Sequence, residues 1–562
     1  MTFTHPRSQS GAARRRYVPG LRTLHLLVLL FCLAPAILPA QEPSPSVVAG
    51  EVFAGGELER YLRVLQVAGK ADPVPWSIRG FSLDEVARRA PRDSVHPWAD
   101  RYRFGTGGGW RPQIQLHAPR TAAVLNSAFP YGANDGAVWA GRGLTTAVQA
   151  GVTARLGPLS LTLAPVAFVA QNAPFDLAPH VLSDSAAFAD WRRPTQIDLP
   201  QRFGEGAYAR VDPGQSTLRA DVGIATLGVS TANQVWGPGG EYSLILGNNA
   251  PGFVHMFAGT SRPVNVGIGR VHGRVVWARL EQSPFATTSP DSATRFGTGL
   301  VASFTPRGVP GLELGATRFF HMPWPARGVG ALELAKPLET FLKVNLATVI
   351  GSDTVEIPES VVANQIASVF ARWTLPRSGF EVYTEFATED HRHNLRDLIL
   401  EPDHNAALTL GFQKVFSRGA DRLLALRGEV VNGEPSHLKR GRRQEPFYVH
   451  AATRQGHTNR GQILGSPAAY AGSASTLAAD YYHPGGRWTL AWRRILRQAE
   501  GDYPDTGMVE KPDVMQALGA DAVLFRGRWD LAAGVEGVYN FNRNHDSDVA
   551  NLNATLGVRV RL

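Results

Sequence analysis

The chain has 562 residues, and its 57 Lys and Arg against 48 Asp and Glu give a formal net charge of +9. Five of these basic residues and no acidic ones lie within residues 1–40, so the rest of the chain carries only +4 and lacks the basic stripe typical of a nucleic-acid-binding surface. The single cysteine, Cys32, lies in the same segment, which excludes disulfides and Cys-ligated metal sites from the remainder.

Residues 1–40 show the order of features typical of a secretory signal peptide. A basic region precedes an apolar stretch at residues 24–38, and the small residue Ala40 follows. The apolar stretch is shorter than a spanning helix requires, although a retained N-terminal anchor is the alternative. We expect cleavage between Ala40 and Gln41, and we leave the segment out of the fold prediction.

Residues 41–110 differ from the rest of the chain because their apolar residues recur at helical spacing. The stretch Glu57–Val67 places its apolar residues three or four positions apart. The stretch Ser82–Ala90 begins with serine and has glutamate three residues later, which is the pattern of a helix-capping box. The sequence therefore predicts a small segment with two short helices.

From residue 111 to residue 562 the apolar period becomes two, which is the period of β-strands. In residues 551–562 the even positions are apolar or small, whereas most odd positions are polar or charged. Residues 526–540 and 341–350 alternate in the same way. Further strands are predicted at 137–156, 158–171, 273–283, 294–304, 311–321, 363–374, 379–389, 405–417, 421–432, 473–482 and 486–497.

These strands favour an all-β transmembrane barrel over a large soluble β-protein, which would alternate in the same way. Many predicted strands exceed the usual length of globular strands, and their polar faces carry charges suited to a water-filled lumen. Aromatic residues such as Trp488 and Trp529 fall near strand ends, where the membrane interfaces would lie. At roughly 25 residues per strand with its connection, the length predicts about 18 antiparallel strands in the cell outer membrane, surrounded by its lipids.

A glycine-rich motif at residues 233–252 resembles the signature of a known family. It reads NQVWGPGGEYSLILGNNAPG and is similar to the signature of the Wzi-type capsule assembly family of outer-membrane proteins. Where the family often has an aromatic residue and a serine, this chain has Gly240 and Gly247. Residues 383–390 (YTEFATED) and 460–467 (RGQILGSP) resemble two weaker patterns of the family. The matching positions of the main motif are Gln234, Trp236, Gly237, Pro238, Gly239, Ser243, Leu244, Ile245, Leu246, Asn248, Asn249 and Ala250.

The resemblance extends over nearly all of the chain after the signal. It implies an outer-membrane barrel at residues 111–562, with the helical segment at 41–110 on the periplasmic side. It also implies a surface lectin that helps attach or assemble capsule or exopolysaccharide, which would then be the partner. The alternative function is a diffusion channel or uptake pore for small solutes, and the oligomeric state stays open.

The motif residues allow two interpretations. The indole of Trp236 could stack on a sugar ring, and neighbouring side-chain amides could bind its hydroxyls. The same groups could instead anchor a loop that folds into the barrel, by satisfying its backbone, and we prefer this interpretation. Arg262 could face an anionic glycan or pair with acids of the lumen. The residues assigned to this binding or anchoring motif are Asn233, Gln234, Trp236, Gly237, Pro238, Gly239, Asn248, Asn249 and Arg262.

Catalytic and cofactor-binding signatures do not stand out in the sequence. There is neither a Gly-x-Ser-x-Gly nucleophile motif nor a phosphate-binding glycine loop. His391, His393 and His404 lie close together and could chelate a metal, but a solvated loop explains them equally well. We therefore expect a protein that is not an enzyme and uses neither a metal nor a cofactor.

The signal peptide gives a first prediction. The protein isolated from membranes should begin near Gln41, because the basic, apolar and small-residue regions stand in the order that signal peptidase requires. N-terminal sequencing of the membrane fraction measures this directly. A chain that still begins at Met1 would instead indicate a retained anchor.

Overall fold

The computed structural model describes residues 45–105, 109–179, 186–288, 293–339, 363–389, 395–435, 445–450, 453–498 and 511–561. The predicted signal at 1–40 and the predicted strand at 341–350 lie outside the described residues. In the described part, we find no helix with both the length and the apolar character needed to cross a membrane.

Most described residues form one closed sheet in which neighbouring strands run antiparallel. With interrupted strands counted once, this part of the chain contributes 18 strands to it, and β18 pairs with β1 to close the barrel. The predicted fold class and strand number are thus confirmed. In chain order the strands are β1 Gln113–Asn126, β2 Gly143–Leu156, β3 Leu159–Leu163 with Val166–Ala170, β4 Tyr208–Asp212 with Thr217–Val222, β5 Ala225–Ser230, β6 Val254–Thr260 with Val264–Asn265, β7 Gly269–Glu281, β8 Thr294–Pro306, β9 Leu312–Pro323, β10 Asn364–Leu375, β11 Phe380–Glu389, β12 Ala406–Ser417, β13 Leu423–Asn432, β14 Ser473–His483, β15 Gly486–Arg497, β16 Asp513–Arg526, β17 Trp529–Arg543 and β18 Ser547–Val560.

The interrupted strands break at prolines. Pro165 separates the two parts of β3, Pro213 those of β4, and Pro263 those of β6. A proline cannot donate a hydrogen bond to a neighbouring strand, so the ladder stops there and resumes after it. These breaks shorten the alternating runs of β4 and β6, and neither strand was predicted from the sequence.

The alternation of β18 assigns its two faces as predicted. Leu552 and Leu556 are 48% and 57% exposed on the outside of the barrel, whereas Asn551 and Asn553 on the other face are buried. Across the described barrel, exposed leucines and valines recur on the outer wall, as expected where strands contact lipid. The inner wall carries charged and amide side chains, such as Glu381, Glu429 and Asn553.

Four α-helices occur in the described residues: α1 Glu57–Val67, α2 Leu83–Arg89, α3 Ala331–Ala335 and α4 Leu395–Leu400. The first two are the predicted helices. At the start of α2 the Ser82 hydroxyl accepts a hydrogen bond from the backbone N–H of Glu85 at 3.1 Å, and the Glu85 carboxylate accepts one from the Ser82 N–H at 2.8 Å. The predicted capping box is therefore present. Single 3₁₀ turns lie at Ala49–Glu51, Lys336–Leu338, Pro376–Ser378 and Pro467–Ala469.

Residues 45–105, which we call the inner segment, pack against the inner wall at the end of the barrel where short turns join the strands. Tyr61 stacks on Trp98 with ring centroids 3.9 Å apart, and Trp98 also contacts Tyr482 of β14 and Phe525 of β16. Ion pairs join the segment to the wall, including Arg63 with Glu381 at 2.8 Å and Glu51 with Arg559 at 2.6 Å. Such pairs suit an enclosed lumen, because a charge there needs a partner.

Residues 324–339, which we call the outer strap, cover part of the outer wall. Arg318 of β9 points outward, since it alternates with the inward residues Thr317 and Phe319. Its guanidinium donates to the side-chain oxygen of Gln365 at 2.6 Å and to the carbonyls of Pro337 and Glu339 in the strap. The indole of Trp277 donates to the carbonyl of Leu334 at 3.0 Å. The strap thus shields an outward-facing arginine from lipid.

The face assignment gives a second prediction. Replacing Leu556 by arginine puts a charge on the lipid-facing wall, which costs about 2–4 kcal/mol near the midplane. The neighbouring Thr555→Gln variant changes the lumen face, where water is present, and should be mild. The measurement is the fraction of refolded protein that stays compact in unheated SDS after transfer into lipid vesicles. Equal losses for the two variants would show that the faces are misassigned.

Candidate functional site

The predicted motif lies in the connection between β5 and β6, residues 231–253, which folds into the barrel and is called the motif loop here. Its apolar residues Leu244, Ile245 and Leu246 are buried and belong to one core with Tyr448 and Leu464 of the connection between β13 and β14. The hydroxyl of Tyr448 donates to the carbonyl of Leu244 at 2.7 Å. The two connections therefore form one packed plug within the lumen.

Trp236 is fully buried in this plug. Its ring lies edge-on to Phe319 of β9, with ring centroids 6.2 Å apart. The backbone of Val235–Trp236 pairs with Ile78–Arg79 of the inner segment as a two-residue antiparallel ladder. A side chain with no exposed surface cannot stack on a sugar from outside, so the geometry of Trp236 is that of a packing residue.

The Gly237-Pro238-Gly239 turn is shaped by contact with the barrel wall. Gly237 has a φ of +85°, and a Cβ there would lie 2.3 Å from a carboxylate oxygen of Glu385. Its N–H donates to the carbonyl of Ser77 at 2.9 Å. The carbonyl of Gly239 accepts a hydrogen bond from Arg79 at 2.6 Å. Glycine is needed at position 237 because the backbone is left-handed and because no side chain would fit.

The next turn of the loop is held by Glu429 of β13, which the sequence prediction did not identify. Its carboxylate accepts hydrogen bonds from the backbone N–H groups of Gly240, Glu241 and Tyr242, each at 2.9 Å. The hydroxyl of Tyr383 is a fourth donor, also at 2.9 Å. Charge-assisted bonds of this kind are the stronger ones in proteins, so this carboxylate is the main anchor of the loop. The side chain is 189 residues away from Gly240 in sequence, and only the fold brings them together.

The four amide side chains of the motif all bind other parts of the protein. Their bonds tie the motif loop to itself, to the barrel and to two neighbouring connections, which leaves them in the geometry of anchors. The contacts are Asn233 Nδ2 to the Ala250 carbonyl at 2.8 Å, Gln234 Oε1 from Arg274 at 2.8 Å, Asn248 Nδ2 to the Asn134 carbonyl at 2.7 Å and Asn249 Nδ2 to the Ile463 carbonyl at 2.8 Å.

Arg262 does not join the other motif residues. It lies exposed at the break in β6, beside Ser261, whose N–H donates to the carbonyl of Ile224 at 2.9 Å. Ile224 belongs to the short turn that precedes β5, whereas the motif loop begins at the far end of that strand. Arg262 and the start of the motif loop therefore lie toward opposite ends of the barrel.

The predicted histidine group falls mostly outside the described residues, because His391 and His393 are not among them. His404 is described, and its Nδ1 lies 3.5 Å from the carboxylate of Glu401. Within the part of the chain that the structure describes, no three or more metal-ligating side chains converge on one point.

Glu241 joins the motif loop to the charges of the lumen. Its carboxylate lies 2.5 Å from Arg427 of β13, and Arg60 of α1 is 4.0 Å away. Burial alone would raise the pKa of Glu241, but these arginines, together with Arg493, lower it to about 2. The side chain is therefore ionised at any physiological pH, and the loop and α1 share one electrostatic network.

Comparisons with known proteins agree with this architecture. Residues 134–552 match the family model described as "Capsule assembly protein Wzi". Among solved structures, the chain is similar to Escherichia coli Wzi, described as an outer membrane protein involved in group 1 capsule assembly and as a carbohydrate binding beta-barrel. That likeness has a TM-score of 0.58 and 12% identity, and it covers 91% of this chain and 99% of that one. It supports the barrel fold.

Two other solved structures are also similar, at lower scores. Acinetobacter baumannii OccAB3 has a TM-score of 0.37 and 10% identity over 79% of this chain and 98% of that one. Pseudomonas aeruginosa OccK2 has a TM-score of 0.38 and 9% identity over 81% of this chain and 98% of that one. Among curated protein sequences no relative matches.

The burial of Trp236 gives a third prediction. The Trp236→Ala variant should lower the free energy of unfolding by about 3–5 kcal/mol, because it leaves a large void in the plug. Trp110→Ala is the matched control, since that indole is 77% exposed and its removal opens no cavity. Thermal unfolding of both variants in the same detergent measures the difference. A Trp236→Ala variant as stable as Trp110→Ala would contradict the anchoring role.

Proposed function

The chain belongs to the Wzi capsule assembly family, and we propose that it is a non-enzymatic surface lectin of the outer membrane that helps attach or assemble capsule or exopolysaccharide. The observation that carries the proposal is a barrel of this family whose lumen is occupied by its own chain. The E. coli relative is described as a carbohydrate binding beta-barrel, which supports the same class of ligand here. An internal plug suits a protein that binds polymer at its surface better than it suits an open pore.

The motif residues, in this proposal, determine the shape of the outer loops rather than contact the glycan. Trp236 and the four amides hold the motif loop within the barrel, and Glu429 fixes its turn. The connections that reach the long-loop end, where most strands are joined by longer segments, then rest on a rigid base.

We place residues 41–110 and Arg262 on the periplasmic side, with residues 1–40 removed by cleavage.

Glycan contact is placed at the long-loop end, around Trp191. The guanidinium of Arg192 lies 4.3 Å from its ring centroid, and the ring of His545 lies 5.3 Å away. The indole N–H donates to Gln498, which fixes the orientation of the ring. A partly exposed indole beside the guanidinium of Arg192 is suited to stacking on a sugar ring and to attracting an acidic one.

The test is binding of surface polysaccharide, extracted from the cells that make the protein, to detergent-purified protein. We expect saturable binding, at least a tenfold loss of affinity in Trp191→Ala and no change in Trp110→Ala, which alters an exposed tryptophan at the opposite end of the barrel. Planar-bilayer recordings are run in parallel. Steady single-channel conductance together with an absence of polysaccharide binding would contradict the proposal and favour a diffusion channel.

A further inference from the structure

The short-turn end of the barrel carries exposed arginines in several of its turns. Within the described residues none of them forms an ion pair, and the turns that hold them contain a single acidic residue, Asp421. This end of the barrel is therefore strongly positive. The arginines are Arg307 between β8 and β9, Arg377 between β10 and β11, Arg418 and Arg422 between β12 and β13, and Arg526 at the end of β16.

The end of β12 connects this charge to the lipid-facing wall. Lys414 and Phe416 occupy outward positions of the strand, because the residues that alternate with them are buried. The ammonium of Lys414 lies 5.2 Å from the centroid of the Phe416 ring, and the guanidinium of Arg418 lies 5.8 Å from it. Lys414 also donates to the carbonyl of Ser378 in the neighbouring turn, which holds its ammonium toward the strand end. A partly exposed aromatic ring is thus flanked by two cations on the outside of the barrel.

Phe416 lies at the level of the membrane interface. Trp373 on β10 and Trp488 on β15 lie near the same end of the barrel and are 41% and 53% exposed. Such aromatic belts occur at the depth of the lipid headgroups. Toward the middle of the membrane the wall is apolar, with Phe412 and Leu426 exposed. An arginine in bulk water needs no counter-charge, but these cations lie where headgroup phosphates are found.

The turn between β12 and β13 gathers further positive charge. The N–H of Arg418 donates to the carbonyl of Arg422 at 2.9 Å, which closes the turn and places both arginines at its base. The ammonium of Lys70, from the inner segment, donates to a backbone carbonyl of the same turn at 2.7 Å. With Lys414, the turn and its immediate contacts hold four cations, whereas Asp421 is the one carboxylate of the turn. An anion is therefore attracted here more strongly than a neutral or zwitterionic group.

We propose that Lys414, Phe416, Arg418 and Arg422, which we call the rim site, bind an anionic phospholipid of the leaflet around the short-turn end. The phosphate would accept hydrogen bonds from the two guanidinium groups, and the acyl chains would lie on the apolar wall beside the phenyl ring. A zwitterionic phospholipid fits less well, because its ammonium would lie among cations. The position of the cations beside an interfacial aromatic ring favours a lipid over an acidic protein. The inference rests on the outer-membrane barrel and not on the proposed lectin function.

The experiment is native mass spectrometry of the detergent-purified full chain with phosphatidylglycerol or phosphatidylethanolamine added at equal concentration. We expect the first bound phosphatidylglycerol to be retained at least fivefold more strongly than phosphatidylethanolamine. The double variant Arg418→Gln/Arg422→Gln should weaken this retention at least fivefold. Arg88→Gln/Arg103→Gln is the matched control and should leave it unchanged, since it removes two exposed arginines from the inner segment, which packs inside the barrel.

Three results would overturn the rim site. These are equal retention of the two lipids, unchanged retention in Arg418→Gln/Arg422→Gln, and equal losses in the two double variants, which would show only a general attraction by the charged end. If Arg418→Gln/Arg422→Gln loses its compactness in unheated SDS, Lys414→Gln takes its place with an expected loss of at least threefold, and unchanged retention would overturn the site equally.

Two further measurements separate this site from other interpretations. Soluble polyglutamate is added to the same proteins. If it binds, if the binding is lost in Arg418→Gln/Arg422→Gln, and if phosphatidylglycerol is not preferred, the lipid proposal is wrong and the surface binds an acidic protein. Polysaccharide binding reports on the long-loop end and should be the same in both double variants, so the lectin proposal can fail or persist independently of the lipid result.

Discussion

The carboxylate of Glu429 is the interaction on which the interior of this barrel depends. It accepts hydrogen bonds from three consecutive backbone N–H groups of the motif loop and from one tyrosine hydroxyl, and so holds an irregular segment against the regular wall. Backbone groups taken into an enclosed space must find partners, and here the strands supply them through side chains. With that turn fixed, Trp236 reaches Phe319 and the apolar residues of the loop meet Tyr448. The plug thus depends on the hydrogen bonds that side chains of the barrel wall make to the backbone of the motif loop.

The same principle operates at the short-turn end, where side chains of the wall bind both backbone amides and charged groups of the inner segment. The carboxylate of Glu313 on β9 accepts the N–H groups of Trp76 at 2.8 Å and Ser77 at 3.1 Å, while Arg63 pairs with Glu381 on β11. These two carboxylates on the wall are thus met by groups of the inner segment. The motif loop and the inner segment also contact each other, because Val235–Trp236 pairs with Ile78–Arg79. Loop and inner segment are therefore one body that ties together distant strands of the barrel.

The sequence predicted the barrel well because a two-residue period is local and is set by the contrast between lipid and lumen. β15 begins and ends at the predicted residues, and both helices of the inner segment were found from spacing and a capping pattern. The strands that were missed include β4 and β6, which are broken by prolines, and β5, which has only six residues. The motif was found through its resemblance to a family signature, and the anchoring role that we preferred for it agrees with the burial of Trp236. Glu429 could not be found in this way, since an acid on the polar face of a strand looks the same in the sequence whether or not it binds a loop.

The outer strap has a consequence for how the barrel enters the membrane. Arg318 on the outer wall would be costly to expose to hydrocarbon, and the carbonyls of Pro337 and Glu339 cover it. The strap belongs to the connection between β9 and β10, which the chain must deliver to the outside of the wall. Closing the barrel first and folding the strap afterwards would pass through a state with a bare guanidinium in lipid. We therefore expect this sector to insert cooperatively, with the connection packing on β7 to β10 while those strands enter the membrane.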